Sequence, residues 1–463
     1  MRCLFKRKYI KIDELTIQEK RRLIFKLSFP IRIKKYFLSD SFYVEYDERI
    51  DHVDKSILQI PAISALATVA WAIGADIYVK ELDKTYFQSL NRIKSIMKGW
   101  FPNFSFSTQI NIEKIVPNKF SNKGCALLFS GGIDSITSYL RHRSEKPQLI
   151  SIWGNFILPE QEATWQKFKR KVTEFSEQEE VEVHFVKTNV RRLINDYQLG
   201  VEFGLEWWGR VSHGLTLLGL CAPLTKNEIG TVLIGSGGSL EEIEYPWGST
   251  PFVDNNLSWA DVKIIHDCTE FSRQEKIRYI LKKYIKTEGR HPFLRVCNSN
   301  ARTLSNALNC NKCEKCLRTI AGLVLEDIDP NMCGFKTNGR VFDNLKRSFV
   351  NRTLKLRENP GIKLFGRDVE GAHSTGQWKR IQREIPNKIG HNLHNSKEFF
   401  EWFRNFDLTT YGLDIEKQIE LSKVFEILKI RLFSCVAPIW YCVPRTFQEV
   451  IRKVHLRTSK SES

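Results

Sequence analysis

Residues 125–140 read CALLFSGGIDSITSYL, and the reading of this stretch decides the fold. An apolar run passes through two adjacent glycines, Gly131 and Gly132, and re-enters order on Asp134 and Ser135. Those residues predict a buried strand, a turn too sharp for a side chain, and the first turn of a helix. The glycine backbone leaves bare N–H groups facing outward. With the hydroxyls of Ser130 and Ser135 they converge at a helix N-terminus, where the macrodipole favours an anion. Asp134 at that place suits a Mg2+ ion bridging phosphate oxygens, or a helix cap. A tight strand–helix turn without a ligand would need glycine too, but not the whole hexapeptide SGGIDS. The residues favour a phosphate cradle.

Outward from this turn the chain repeats the same grammar. QLISIW (148–153), VEVHFV (181–186) and TVLIGS (231–236) are short β-branched or apolar runs, with helical stretches near 136–143, 160–177 and 205–222 between them. Alternation at this spacing predicts parallel strands joined by crossover helices, an α/β domain over 121–335 with a central parallel sheet and flanking helices of Rossmann-like type. Ahead of it, 1–120 reads as an α+β module with strands SFYVEY and DIYVKE and a helix near YFQSLNRIKSIMKGW. Behind it, 336–463 reads as mainly helical and basic, and it carries the apolar, twice proline-broken segment LFSCVAPIWYCVP (432–444).

At 463 residues, 42% hydrophobic and 27% charged, the chain can bury a core for two or three domains. Residues 57–75 are the nearest approach to a membrane span, but Gln59, Pro61, Ser64, Thr68 and Gly74 mark them as a buried helix. Met1 to Ile10 lacks the apolar block of a secretion signal, so a cytoplasmic protein without a transmembrane segment is expected. The net charge of +18 sits in the flanks: residues 1–40 hold 12 Lys/Arg against 4 Asp/Glu, and 336–463 hold 24 against 14. Basic flanks suit an acidic protein or nucleic-acid partner, and solvated helical faces give the same composition.

Of eleven cysteines, four cluster in RVCNSNARTLSNALNCNKCEKCLRT (295–319). Cys310, Cys313 and Cys316 stand at C-x2-C-x2-C spacing, and Cys297 precedes them by a 12-residue spacer. Paired short spacings form knuckles that aim sulfurs at one tetrahedral centre, and a fourth thiolate closes the shell, so a structural Zn2+ is expected. An iron–sulfur cluster uses the same ligand set. Lys312, Lys315 and Arg318 are placed to offset the thiolate charge.

SGGIDS resembles the pyrophosphate loop of the N-type ATP pyrophosphatases of the adenine-nucleotide alpha-hydrolase-like (HUP, PP-loop) superfamily, and it lacks the GxxxxGK[ST] pattern of γ-phosphate transfer. Combined with the downstream cysteines, it resembles the QueC-like family of 7-cyano-7-deazaguanine synthases over about 121–335. The resemblance implies that Ser130, Gly131, Gly132, Asp134 and Ser135 hold ATP, with Asp134 and Ser135 catalytic and Trp153, ending the second strand, beside the adenine. It implies ATP, Mg2+ and Zn2+ as cofactors and a ligase-like reaction. A small-molecule or protein-borne acid is adenylated with release of pyrophosphate, and ammonia or an amine then displaces AMP. FSRQEKIRYI (271–280) resembles the short basic helix that precedes the zinc loop in that family. This chain departs in its longer cysteine spacer and in about 120 added residues on each side. Enlarged members of the family occur in bacterial anti-phage operons, where related chemistry is associated with a protein partner.

Smaller signals frame the alternatives. Trp207 and Trp208 could stack a ring, although core packing accounts for them as well. His213 reads as a hydrogen-bonded core histidine. GSGG (235–238) follows a strand at its carboxyl end, where α/β ligands gather, and Asp254, Asp267, Arg273 and Lys276 come after it. Two other functions fit the residues: a tRNA-modifying enzyme using the basic flanks, and a non-catalytic nucleotide-binding subunit of a larger assembly.

Overall fold

The computed structural model describes residues 8–240, 246–297 and 307–354, and beyond these 356, 363–364, 367–368, 374–387, 389 and 392–408. One compact unit extends to Arg404, and a second begins at Asn405. The segment 432–444 and most of the basic C-terminal flank lie outside the described residues.

Eleven strands form one sheet. They are β1 (Tyr9–Gln18), β2 (Arg22–Ser28), β3 (Ser41–Tyr46), β4 (Asp76–Asp83), β5 (Ile110–Val116), β6 (Gly124–Leu128), β7 (Gln148–Trp153), β8 (Val183–Thr188), β9 (Ile229–Gly235), β10 (Ser258–Trp259) and β11 (Val262–Asp267). Their order is β10-β11-β9-β6-β7-β8-β3-β2-β1-β4-β5. The central run β11-β9-β6-β7-β8 is parallel throughout, and antiparallel pairing enters at β8–β3, β3–β2, β2–β1 and β11–β10. The result is a mixed, mostly parallel sheet with flanking helices, in keeping with the expected α/β class. It runs without a break across residue 120, because Val44 and Tyr46 of β3 lie opposite Thr188 and Val186 of β8. The connection into β6 is pinned as well: the Phe120 and Ser121 amides donate to the Asp261 carboxylate at 2.7 and 2.8 Å.

The apolar stretch in the N-terminal part forms the helix Ile60–Ile73, and every one of its 14 residues is buried. Of its two hydroxyls, Ser64 Oγ shares a 2.6 Å hydrogen bond with the Tyr86 hydroxyl, while Thr68 Oγ1 is buried without a partner. Gly219 on the neighbouring helix His213–Gly219 packs so close that a Cβ there would strike Ser64. No helix among the described residues is long and apolar enough to cross a membrane.

The topology places the site. From β6 the chain steps to β7 and β8 on one side, then returns to lay β9 on the other side of β6. Crossover connections leaving in opposite directions part the chain at the carboxyl ends of β6 and β9, and ligands of open α/β sheets bind in that crevice. Both glycine-rich turns, 130–132 and 235–238, lie there.

The helix that follows the first turn, Ile133–Arg141, is tied to β11 at its far end. Asp267 accepts from Ser138 Oγ at 2.6 Å and lies 3.3 Å from His142 Nε2. The bond to Asp267 raises the His142 pKa above its ordinary 6.5, against the opposing effect of burial. Burial alone would raise Asp267, but the bonds from His142 and Ser138 outweigh it and hold the carboxyl below 3.8. The raised histidine stabilises the fold fully below pH 6.5, and its contribution is lost as pH rises through the folded-state value. The depressed aspartate contributes above pH 3.8 and is lost as pH falls through its own folded-state value. The His142→Gln variant should therefore melt below the parent by the widest margin between those limits. The margin should shrink in alkaline buffer, which thermal melts across a pH series will read.

Beyond the cysteines, helices Val341–Val350, Ser374–Arg383 and Ser396–Phe403 meet through Phe349, Trp378 and Phe403, and Trp378 Nε1 donates to Glu314 at 3.1 Å. The described part of the C-terminal region is thus mainly helical, and it packs onto the helix that carries the last cysteine.

Candidate phosphate site and four-cysteine centre

Gly131 adopts φ +69°, a left-handed conformation that glycine reaches without strain. Its carbonyl accepts from the Arg295 amide at 2.7 Å, which ties the turn to the segment leading into the cysteines. Gly132 is the N-cap of the helix Ile133–Arg141, and no side chain caps it. Ser130 and Ser135 face each other, with their hydroxyls 3.3 Å apart, and Ser135 Oγ also donates to the Gly132 carbonyl at 3.2 Å. The first turn of the helix therefore presents main-chain donors that the protein leaves for something else.

The second glycine turn comes close to the first. A Cβ on Gly235 would lie 2.5 Å from the Asp134 carbonyl oxygen, so this contact requires glycine. Ser236 N donates to the Asp267 carbonyl at 2.8 Å. The fully buried Lys276 donates its ammonium to the Ser236 carbonyl at 2.6 Å. Lys276 thus braces the turn, and Arg273, one helical turn earlier, reaches the phosphate loop: its Nη2 lies 2.5 Å from Asp134 Oδ2.

Three side chains that the sequence did not single out for the phosphate loop complete the surroundings. Arg295 is only 5% exposed, and burial pulls its pKa down to about 10. Lys315 is lowered to about 8, first by burial and then by Arg273, with Asp134 opposing. Phe156 lies beneath both cations, its ring centre 5.7 Å from the Arg295 guanidinium carbon and 5.9 Å from Lys315 Nζ. Arg295 owes its place to its amide bond with Gly131, a tertiary contact that leaves no pattern in the chain. Asp134 Oδ1, Arg273 Nε and Arg295 Nε are all buried without a hydrogen-bond partner. Orphaned groups of this kind cost about 1–3 kcal/mol each, and a polar occupant that bonded to them would relieve that cost. Several cations beside uncapped amides fit a polyphosphate, and the open carboxylate oxygen fits a divalent cation.

Trp153 ends β7 as expected, at 7% exposure. Its ring stacks on Trp165 at 5.3 Å, lies under the Lys187 ammonium at 4.3 Å, and donates from Nε1 to the Leu158 carbonyl. Trp207 belongs to the core, stacked against Phe104. Trp208 is half-buried beneath the Arg191 guanidinium. His213 bonds through Nδ1 to the Gly209 carbonyl, and burial lowers its pKa. Asp254 is buried and engaged by Ser249 and His266.

The cysteines converge. All four sulfurs, of Cys297, Cys310, Cys313 and Cys316, lie within 4.8 Å of one another. The Cys310–Cys316 and Cys297–Cys313 separations are both 3.9 Å. A zinc ion with Zn–S bonds of about 2.3 Å sets its four sulfurs about 3.8 Å apart, so the quartet is compatible with zinc. A multi-iron cluster would spread the thiolates further. Asn311 at φ +57° turns the knuckle, and the Cys313 amide donates to Cys310 Sγ at 3.2 Å. Cys313 then caps the helix Glu314–Leu325, which carries Cys316 on its first turn. Arg318, expected to offset thiolate charge, lies 3.0 Å from Glu314. The quartet is linked to the glycine turn: Arg295 donates to both the Gly131 and Cys297 carbonyls, and Lys315 lies in sequence between two of the cysteines.

Compared with protein-family models, curated proteins and solved structures, the chain matches none of them.

Proposed function

We propose that this chain is an ATP-dependent, QueC-like adenylating enzyme of the PP-loop type. The observations that carry the reading are the uncapped first turn of the helix Ile133–Arg141 after the glycine pair and three nearby buried polar atoms, on Asp134, Arg273 and Arg295, without hydrogen-bond partners. The Gly131–Gly132 turn, the amides after it and the hydroxyls of Ser130 and Ser135 bind the β- and γ-phosphates, while Arg273, Arg295 and Lys315 balance their charge. A carboxylate oxygen of the acid substrate attacks the α-phosphorus. The α–β bridging P–O bond breaks, and its electron pair leaves on pyrophosphate. Ammonia or an amine then attacks the acyl carbon and loses a proton, and AMP departs with the C–O electron pair. The protein contributes positioning and charge stabilisation, with no covalent enzyme intermediate. A Mg2+ ion held by Asp134 would neutralise phosphate charge when bound. Zinc in the cysteine quartet has a filled shell and would hold the loop that bears Arg295 and Lys315. The acid is a small molecule or is borne on a protein, and the QueC-like resemblance makes 7-deazaguanine acids the first to assay.

Calorimetric titration with α,β-methylene-ATP, followed by separate pyrophosphate and phosphate assays with ATP, ammonium and a panel of acids, tests the reading. Binding with pyrophosphate as the released product supports it, and absence of nucleotide binding overturns it.

A further inference from the structure

We propose that Arg273 is a latch on Asp134: it occupies the carboxylate while the crevice is empty and passes to the phosphates when nucleotide arrives, freeing Asp134 for a divalent cation. The proposal rests on the phosphate-site reading above. Its warrant is the incompleteness of the ion pair. Arginine and carboxylate pair best through two parallel hydrogen bonds. Here Nη2 meets Oδ2 at 2.5 Å, while Arg273 Nε and Asp134 Oδ1, the atoms that would make the second bond, are buried and unpartnered. A pair that leaves an orphan on each side is poised for exchange, because both atoms gain a partner when the arginine moves.

The surroundings allow that movement. The Arg273 backbone is fixed by the Ser272–Glu275 capping box, so the exchange needs only side-chain rotation. The side chain also borders a small cavity with Arg318, Thr319 and Gln377 and is not close-packed on every side. Charge favours the exchange as well. Asp134 pairs with Arg273 and acts on Lys315, and an incoming polyphosphate competes for both cations. The consequence is reciprocal coupling, in which nucleotide raises metal affinity and metal raises nucleotide affinity by the same factor.

Mn2+ binding to the full-length protein, followed by electron paramagnetic resonance, separates the outcomes. Without nucleotide the parent should bind Mn2+ weakly at this site, and Arg273→Gln should bind it on the order of tenfold more tightly. Adding Asp134→Asn to that variant should abolish the gain. Arg273→Met, which keeps the stem's volume, should reproduce it, and circular dichroism checks that each variant is folded. Equal Mn2+ affinity in the parent and in the folded Arg273 variants would overturn the latch. Failure of the parent to bind α,β-methylene-ATP would instead overturn the phosphate site itself, so the two failures are distinct.

Discussion

Replacing Asp134 by alanine should abolish pyrophosphate release from ATP and leave a folded protein. The carboxylate pairs with Arg273 and acts electrostatically on Lys315, and its Oδ1 is buried without a partner. The carboxylate repels the phosphates by itself, so its contribution runs through the divalent cation it would hold, whose charge stabilises the reacting phosphates. Loss of that cation site should lower activity by about 10^3 or more. The fold should tolerate the change because the Asp134 side chain is 23% exposed, so water can reach Arg273 once the carboxylate is gone. Asp134→Asn isolates the charge, since its amide oxygen still accepts from Arg273. It should be nearly as inactive and should melt close to the parent. Undiminished pyrophosphate release in either variant would refute the role.

The second large effect is expected at Cys313. Cys313→Ser should drop the zinc content well below one per chain, lower the melting temperature and weaken nucleotide binding together. The first two follow from the quartet: structural zinc contributes on the order of 10 kcal/mol of folding free energy in small zinc domains. Losing one ligand of four should cost several kcal/mol, or on the order of 10 °C. The third follows from Arg295, whose amide holds the Gly131 carbonyl and whose guanidinium reaches the Cys297 carbonyl. A loosened quartet releases that segment and the phosphate turn with it. Cys333→Ser, at a buried cysteine outside the quartet, is the control and should keep its metal. Metal analysis and calorimetry on the two variants decide the point, and full zinc in Cys313→Ser would contradict the arrangement.

Four strands around the site, β6 to β9, were legible because each is a compact apolar run beside a turn. QLISIW spans β7, and SFYVEY spans β3. VEVHFV overshot by two residues because Val181 and Glu182 lie before the first sheet pairing of β8, at Val183. The strands β1, β2, β5 and β11 escaped notice because apolar residues alternate there with charged ones, which also suits a solvated helix, and β10 is only two residues long. The glycine turn and the cysteine quartet were readable because glycine pairs and short cysteine spacings encode geometry locally. Arg295, Lys315 and Phe156 were not, because they reach the turn only through the tertiary fold. Arg273 lies between: its charge was visible, but its pairing with Asp134, 139 positions earlier, was not.

The seam between β3 and β8 bears on how this protein can be taken apart. A fragment starting near residue 121 would strip β8 of its outer neighbour and bare a row of unsatisfied amides and carbonyls, an invitation to recruit strands from other copies. Attempts to express the half that bears the glycine turns by itself should yield aggregates, and the N-terminal residues are best regarded as a covalently attached chaperone for its border.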